Sequence, residues 1–282
     1  MQTGQELFRR FSGISIPGIL LMALAGINQV QAAETSTALM PFSAEYRISV
    51  NRIPTPIRAE LVLEATDQPD RYRMEFKVDS MLMKNTETTV FDWNQCEPET
   101  QQYRHEFRGF GRRRHHQMDF FWDDPAQIVT TSYKGRQDPE FEAFEIPEGT
   151  LDDLTMLLKT RCLLTQGQEF YEVTSAYGSG TRDHRVRVVG SETLDTPMGE
   201  LETMMIERAR ERDLRRESDR HTMFWVAPAL DYMLVRVRHV EDSGLYGEIN
   251  MRSYHRPEQP AVEESESDAK PASETTEAVS GK

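Results

Sequence analysis

Residues 42–50 read Phe-Ser-Ala-Glu-Tyr-Arg-Ile-Ser-Val, with an apolar or aromatic side chain at every second position. Side chains alternate between the two faces of a β-strand, so this spacing predicts a strand with one buried face and one solvated face. Residues 72–78, Tyr-Arg-Met-Glu-Phe-Lys-Val, repeat the alternation. The sequence therefore predicts a sheet that packs one face on an apolar core.

Further stretches with strand-like patterning follow, separated by Gly, Pro, Asp and Asn. They lie near residues 57–65, 86–94, 101–108, 115–122, 127–134, 140–146, 169–177, 183–190, 200–210, 218–226, 232–240 and 245–255. Such regular short strands without interleaved helices predict antiparallel hairpins in a single domain, residues 33–256. We expect about fourteen strands in a mainly β fold. They would form either a strongly curved antiparallel sheet or a half-open to closed barrel.

One segment breaks the alternation because its apolar residues fall at helical spacing. These residues are Leu151, Leu154, Leu157, Leu158, Cys162 and Leu163. Thr150 is a candidate N-cap, Asp152 and Asp153 suit the positive end of a helix dipole, and Gly167 is a suitable terminator. The pattern predicts one main helix at about residues 151–165, packed against the sheet or covering it as a lid.

The N-terminus has the features of a secretory signal peptide. Arg9 and Arg10 precede a mainly apolar stretch that ends in small residues at Ala32 and Ala33. This order predicts a removable signal peptide at residues 1–32, with cleavage after Ala33 as the alternative, and a periplasmic mature protein. An uncleaved anchor would need about 20 strongly apolar residues, and polar residues and a proline interrupt this stretch. We therefore expect no membrane span after cleavage.

The C-terminal residues 257–282 are acidic and contain few side chains that could be buried. Such a segment cannot offset the entropy cost of becoming ordered, so it is expected to be a disordered tail. The whole chain carries a formal net charge of -14. Because a nucleic-acid-binding domain is expected to be basic, we expect no nucleic-acid partner.

The chain contains two cysteines, Cys96 and Cys162. In an oxidising compartment they could form a disulfide, and the alternative is two buried thiols that act as small apolar residues. Pairing would close a loop of roughly 65 residues and stabilise the fold by about 4 kcal/mol on the chain-entropy estimate.

The densest positive cluster is Arg112, Arg113 and Arg114, followed by His115 and His116. Arginine matches phosphate geometry well, so the cluster is a candidate contact for an anion or a phospholipid head group. The alternative is a solvated strand end. Adjacent histidines point to opposite faces of a strand, so the pair does not suggest a metal site.

No recognised catalytic or cofactor motif occurs in the sequence: it contains no nucleophile elbow, phosphate loop, dinucleotide fingerprint or zinc-protease motif. We expect no cofactor and no metal, and we assign no catalytic residues. A hydrolase would require one of four histidines to meet carboxylates in a cleft. These histidines are His105, His184, His221 and His239.

Three segments carry a resemblance to a known family. Residues 151–159 read Leu-Asp-Asp-Leu-Thr-Met-Leu-Leu-Lys, residues 196–203 read Thr-Pro-Met-Gly-Glu-Leu-Glu-Thr, and residues 224–237 contain Trp-Val-Ala-Pro-Ala-Leu-Asp-Tyr. On these segments, and over about residues 42–254, the chain resembles an uncharacterised exported, β-rich family of proteobacteria, catalogued as a domain of unknown function. That family has no accepted catalytic residues.

A more distant likeness is to the carriers that move lipoproteins across the periplasm, in which a curved antiparallel sheet and helices enclose an apolar cavity. This likeness concerns architecture alone and transfers no residues. The candidate residues of a cavity wall or lid in this chain are Leu154, Leu157, Leu158, Trp225 and Tyr232. Trp225 and Tyr232 also have a structural interpretation, in which Pro228 and Asp231 form a hairpin turn and the two aromatic residues pair across strands.

Two functions remain open after these observations. The first is a non-enzymatic periplasmic protein that binds or carries a hydrophobic or lipid-like ligand. The fourteen methionines favour it, because methionine adapts to irregular apolar ligands. The second is an envelope assembly or scaffold protein that holds a partner protein through a strand edge or the acidic tail.

Overall fold

The computed structural model describes residues 38–134, 138–178, 180–210 and 221–257. The predicted signal peptide and almost all of the predicted tail lie outside these ranges. The described residues form fourteen strands and one α-helix, α1 (Asp153–Thr165). The strands are β1 (Phe42–Val50), β2 (Ile53–Ala65), β3 (Arg71–Asp79), β4 (Met83–Asn94), β5 (Glu97–Gly109), β6 (Arg112–Phe121), β7 (Gln127–Lys134), β8 (Glu140–Glu145), β9 (Phe170–Tyr177), β10 (Gly180–Thr196), β11 (Gly199–Arg210), β12 (His221–Ala227), β13 (Met233–Val240) and β14 (Tyr246–His255).

All fourteen strands belong to one antiparallel sheet, which confirms the predicted fold class at this level. The strand order is β8-β7-β6-β5-β4-β3-β2-β1-β14-β13-β12-β11-β10-β9. Two hairpin meanders, β1–β8 and β9–β14, therefore meet where β1 pairs with β14. The helix α1 lies between the two meanders in sequence and connects the outer strands β8 and β9.

The sheet curves until its two ends touch, but its hydrogen-bonded ladder does not close. The Thr130 hydroxyl of β7 donates to the carbonyl of Gly178 at the end of β9, at 3.2 Å. Ala176 of β9 packs in one apolar cluster with Phe120 and Ile128. In the described part of the chain, β8 and β9 form no ladder with each other. The sheet is therefore not closed, and a closed barrel is not supported.

Strand β1 follows the alternation that predicted it. Phe42, Ala44 and Tyr46 are buried, whereas the intervening Glu45 and Arg47 are exposed. The strand pairs with β2 on one side and with β14 on the other. Its buried side chains therefore lie at the centre of the main apolar core.

The helix begins later than the sequence suggested. Asp152, and not Thr150, is the N-cap, because its carboxylate accepts hydrogen bonds from the backbone N–H groups of Leu154 and Thr155. The Thr150 hydroxyl instead donates to the Pro147 carbonyl. Gly167 has a φ of 78° and follows the C-cap, where its N–H donates to Leu164. The predicted terminator is thus in place, because glycine adopts this left-handed conformation at little cost.

Asp152 also connects the helix to the sheet. Its side chain is fully buried, and one carboxylate oxygen accepts hydrogen bonds from the hydroxyls of Thr89 in β4, Thr100 in β5 and Thr155 in α1, at 2.8, 2.7 and 2.8 Å. Burial raises the pKa of Asp152, and the hydrogen bonds from the threonines oppose that shift. The donors around this buried carboxylate thus compensate part of its lost hydration.

The second half of the helix is held by Arg161. Its guanidinium is buried and donates to the backbone carbonyl and to the carboxylate of Asp231, at 3.1 and 2.8 Å. Asp231 follows a short 3₁₀ helix, Pro228–Leu230, and has a φ of 57°. The Ala-Pro-x-Leu-Asp part of the most specific sequence segment therefore forms the turn after β12 and presents a partner for the helix.

A third connection joins the helix to the turn between β4 and β5. Cys96 in that turn and Cys162 in α1 are paired as a disulfide, with their Cα atoms 5.7 Å apart. Lys159 in the helix also forms an ion pair with Glu97, next to Cys96. Residues from the middle of the helix thus fix it to the β1–β8 meander.

Replacement of Asp152 by Ala should lower the free energy of unfolding by about 3 kcal/mol, because it removes a helix cap and leaves several buried donors without an acceptor. Asp152→Asn should cost less, since its carbonyl oxygen can still accept from the backbone N–H groups of the first helical turn. Urea denaturation measures both effects. Asp123→Ala, at an exposed bend, is the control. Equal stabilities of Asp152→Ala and this control would show that the buried cluster contributes little.

The double variant Cys96→Ser/Cys162→Ser should lose about 4 kcal/mol of stability, since the disulfide closes a long loop in the unfolded chain. Urea denaturation compares the oxidised protein, the reduced protein and the double variant. The reduced protein and the double variant should have the same free energy of unfolding. Two titratable thiols in protein purified under oxidising conditions would contradict the pairing.

Candidate ligand cavity

A cavity of about 300 Å³ lies between α1 and the inner face of the sheet. Residues from both meanders and from the helix line it. They are Tyr46, Leu61, Phe76, Glu87, Asp153, Leu154, Met156, Leu157, Thr160, Val186, Ile206, Arg208, Phe224, Val226, Leu234, Val237 and Ile249. A larger depression of about 500 Å³ near Glu97, Lys159 and Arg185 is lined mainly by charged and polar side chains. Of these two, the first has the apolar wall of a typical small-molecule site.

Alternation along the strands produces this wall. In β12, Phe224 and Val226 line the cavity, whereas Trp225 between them does not. Two polar side chains in the wall already have hydrogen-bond partners within the fold. The Tyr46 hydroxyl donates to the Leu234 carbonyl at 3.0 Å, and the Thr160 hydroxyl donates to the Met156 carbonyl at 2.8 Å. The wall therefore presents mainly hydrocarbon.

The remaining polar lining consists of three charged residues, Glu87, Asp153 and Arg208. The guanidinium of Arg208 lies 3.7 Å from the Asp153 carboxylate and 5.2 Å from the centre of the Phe224 ring. Asp153 is about half exposed, with 54% of its side-chain surface accessible, so this part of the cavity reaches solvent. The site thus combines an apolar interior with a small group of opposite charges.

Glu87 lies in the cavity wall, and burial changes its pKa. Desolvation by burial raises the pKa of Glu87, and the nearby Asp153 carboxylate raises it further. Hydrogen bonds from the Tyr103 hydroxyl and the Asn85 amide, at 3.1 and 3.3 Å, oppose the shift. The carboxyl therefore takes up a proton at a higher pH than an ordinary glutamate does.

Two of the five candidate wall residues lie at the cavity. Leu154 and Leu157 line it. Leu158 is almost fully buried and packs in the main core beyond the lining. Helical periodicity placed all three leucines on one broad face, but it could not separate the lining of a cavity from the packed side of the helix.

Trp225 and Tyr232 lie elsewhere and do not pair with each other. Trp225 is opposite Arg236 in the β12–β13 ladder, and its indole N–H donates to Glu192 of β10 at 2.7 Å. Tyr232 follows the turn with a φ of 54°, outside both strands. The predicted turn at Pro228 is present, but the cross-strand aromatic pair is wrong because the left-handed residues of the turn remove Tyr232 from the ladder.

The three arginines of the basic cluster begin β6 and do not line the cavity. Arg112, Arg113 and Arg114 are exposed, and the turn itself is formed by Phe110 and Gly111, which both have positive φ. Next to them, the His115 ring stacks on Tyr133 with 4.6 Å between the ring centres.

None of the described histidines lines this cavity, although His184 lies in the larger polar depression beside Glu172 and Asp183. His105 bonds to the Asn85 side chain at 2.6 Å, and His184 bonds to Ser175 at 2.9 Å in the interior. His239 contacts Thr222 and Glu241. Within the described ranges, no group of three or more His, Cys, Asp or Glu residues could hold a metal ion.

Sequence reasoning missed the charged members of the site, Glu87, Asp153 and Arg208. From the strand and helix patterns, each was expected on the solvated surface. The pairing of the strands could have placed Glu87 correctly. Glu87 is opposite Phe76 in the β3–β4 ladder, and directly opposite residues lie on the same face of a sheet. That register could not be assigned before the hairpin was seen.

Taken together, these features define a class of protein: an open, curved antiparallel sheet that holds one capped helix beside an apolar cavity. A family model described as "Protein of unknown function (DUF3108)" matches residues 45–251, and the chain belongs to that family. The resemblance to an uncharacterised domain family is thereby confirmed. Among the described residues, no helix is long and apolar enough to cross a membrane.

Comparisons with curated proteins and with solved structures do not identify a function. No curated protein matches the chain. One similar solved structure is "a putative lipoprotein from Parabacteroides distasonis ATCC 8503", at 9% sequence identity, covering 77% of this chain and 96% of that chain with a TM-score of 0.30. A likeness this weak carries no argument about this protein.

Glu87→Gln should stabilise the protein increasingly as the pH rises from the ordinary glutamate pKa, about 4, to the raised pKa of Glu87. Between the ordinary and the raised pKa, native Glu87 retains a proton that the unfolded chain has lost, so wild-type stability falls as pH increases through this window. Glutamine does not titrate and avoids that loss. Urea denaturation across the pH series, with Glu142→Gln at an exposed site as control, measures the difference. A pH-independent difference would show that Glu87 is not perturbed.

Proposed function

We propose that this protein is a non-enzymatic periplasmic protein that binds or carries an amphiphilic ligand of the cell envelope. The observation that supports this proposal is the separation of polarity in the cavity. Its walls are hydrocarbon, while its three charged groups are Glu87, Asp153 and Arg208. A ligand with one apolar chain and a small polar head complements that arrangement.

The dimensions of the cavity favour a ligand of modest size. A volume of about 300 Å³ is at the lower end of the range for small-molecule sites. A single acyl chain fits this volume better than a lipid with several chains. Met156 and Leu157 project from the helix into the same space as sheet residues. Their flexible side chains can adjust to chains of different shape.

The charges suggest how a polar head group would be held. Arg208 can donate to a phosphate or carboxylate, and Glu87 and Asp153 can accept from ammonium or hydroxyl groups. A zwitterionic or hydroxyl-bearing head group would use both signs of charge. The existing contact between Arg208 and Asp153, at 3.7 Å, would then be shared with the ligand.

The alternative function, an assembly or scaffold protein, has support in the open end of the sheet. Strand β8 pairs on one side with β7 and carries an exposed aromatic residue, Phe141. A partner strand could add to this edge. However, β8 also carries Glu140, Glu142 and Glu145, and charged residues are a common protection against such pairing. The carrier proposal therefore has the stronger support.

Leu157→Trp should reduce binding of a dansyl-labelled fatty acid by about tenfold or more, because the indole fills cavity volume that the acyl chain needs. Fluorescence titration of the full chain measures the affinity. The matched control is Leu245→Trp, in an exposed loop away from the cavity, which should bind as the wild type does. Native mass spectrometry of gently purified wild-type protein should also detect a co-purified lipid.

Two outcomes would contradict the proposal. One is a wild-type protein that neither retains a lipid nor binds the fatty-acid probe. The other is a Leu157→Trp variant with wild-type affinity and wild-type stability, which would place the probe outside the cavity.

A further inference from the structure

Two neighbouring turns expose large apolar side chains at one end of the sheet. Met81 and Leu82 in the β3–β4 turn have relative exposures of 104% and 71%, and Phe110 in the β5–β6 turn has 70%. Single exposed apolar residues are common, but several together indicate an interaction site. We name these two turns and their flanking residues, 79–84 and 106–114, the tip surface.

The two turns are adjacent in space. In the β4–β5 ladder, Met83 is opposite Gly109. A Cβ atom at Gly109 would lie 2.7 Å from the Cβ of Met83 and 3.1 Å from the Leu82 carbonyl oxygen, which only glycine permits. Leu82 and Phe110 therefore lie on neighbouring turns at the same end of the sheet.

The tip surface is positively charged although the whole chain has a net charge of -14. It contains five cations, Lys84, Arg108, Arg112, Arg113 and Arg114, and two carboxylates, Asp79 and Glu106. Asp79 lies 3.2 Å from Lys84, and Glu106 lies 3.7 Å from His115. Within the described ranges, no carboxylate lies at ion-pair distance from the four arginines.

We propose that the tip surface docks onto an anionic phospholipid bilayer. Met81, Leu82 and Phe110 enter the boundary between head groups and acyl chains, and Arg112 and Arg113 bind lipid phosphates. Apolar insertion and electrostatic attraction are each weak alone, and together they give stable membrane association. Arginine suits this role because its planar guanidinium binds phosphate through two hydrogen bonds.

The small apolar area of the tip surface favours a bilayer over a folded protein partner. A stable protein–protein interface buries about 800 Å² on each partner, and three exposed apolar side chains on two turns offer less area than that. Three such side chains can enter a layer of lipid head groups. The arginines beside them remain at phosphate depth, because their long side chains reach the charged layer.

This proposal concerns a different surface from the cavity and does not require a bound ligand. The two are nevertheless close in the fold. Strand β4 runs from Met83 at the tip surface to Glu87 in the cavity wall. Four residues of a strand span about 13 Å. Docking would therefore bring the charged part of the cavity near the head-group layer.

The test is co-sedimentation of the full chain with vesicles of phosphatidylglycerol and phosphatidylethanolamine, compared with vesicles of phosphatidylcholine. The wild type should bind the anionic vesicles more tightly, and high salt should weaken that binding. Met81→Ser/Leu82→Ser and Arg112→Gln/Arg113→Gln should each reduce it by about tenfold. The matched controls are Phe141→Ser, also 70% exposed, and Arg252→Gln/Arg256→Gln, near the opposite end of the sheet, which should bind as the wild type does.

A second readout does not depend on loss of binding. In Phe110→Trp, the new indole should show a blue-shifted emission when anionic vesicles are added, because it enters a less polar layer. The proposal would be overturned if the Phe110→Trp emission did not shift or if the wild type did not bind anionic vesicles. Equal loss of vesicle binding in the tip variants and the control variants would overturn it as well. Tip variants that no longer bind vesicles should keep wild-type affinity for the dansyl fatty acid. Failure of membrane docking can therefore be distinguished from failure of ligand binding in the cavity.

Discussion

The buried carboxylate of Asp152 is the interaction on which the arrangement of helix and sheet depends. It caps α1 and accepts hydrogen bonds from Thr89 and Thr100, which lie on two different strands. Because a carboxylate without donors is costly in the interior, the helix must begin where these three elements meet. Arg161 and the disulfide then fix the rest of the helix. The space left beneath the helix is the cavity, so its existence follows from where the helix is held.

The fold was largely predictable from the sequence, and the reason is periodicity. Strands such as β1 alternate so regularly that their number, spacing and antiparallel pairing follow from the side-chain pattern. How strongly the sheet curves could not be predicted, because the curvature depends on contacts between segments that are distant in sequence, such as Thr130 with Gly178. The true N-cap was also missed. Thr150 and Asp152 are both good caps, and only the buried threonines on β4 and β5 favour the second.

The candidate site was predictable only in its helical part. Leu154 and Leu157 were found because helical spacing places them on the buried face, whereas Trp225 was expected in the wall because of the architectural likeness to periplasmic carriers. Its neighbours Phe224 and Val226 occupy the wall instead, since a strand presents alternate residues to opposite faces. Without the register of each strand, a sequence does not reveal which of the two faces encloses the cavity.

The pairing of β1 with β14 has a consequence for how the chain reaches its native state. This central ladder joins residues such as Ser43 and His255, which stand at opposite ends of the domain. During synthesis from the N-terminus, the meander β1–β8 is complete while the strand that must cover β1 has not yet been made. Contacts between residues so distant in sequence form slowly. Until β14 has been made, β1 is an edge strand with unpaired backbone hydrogen-bonding groups. The incomplete chain can then be bound by other proteins at this edge.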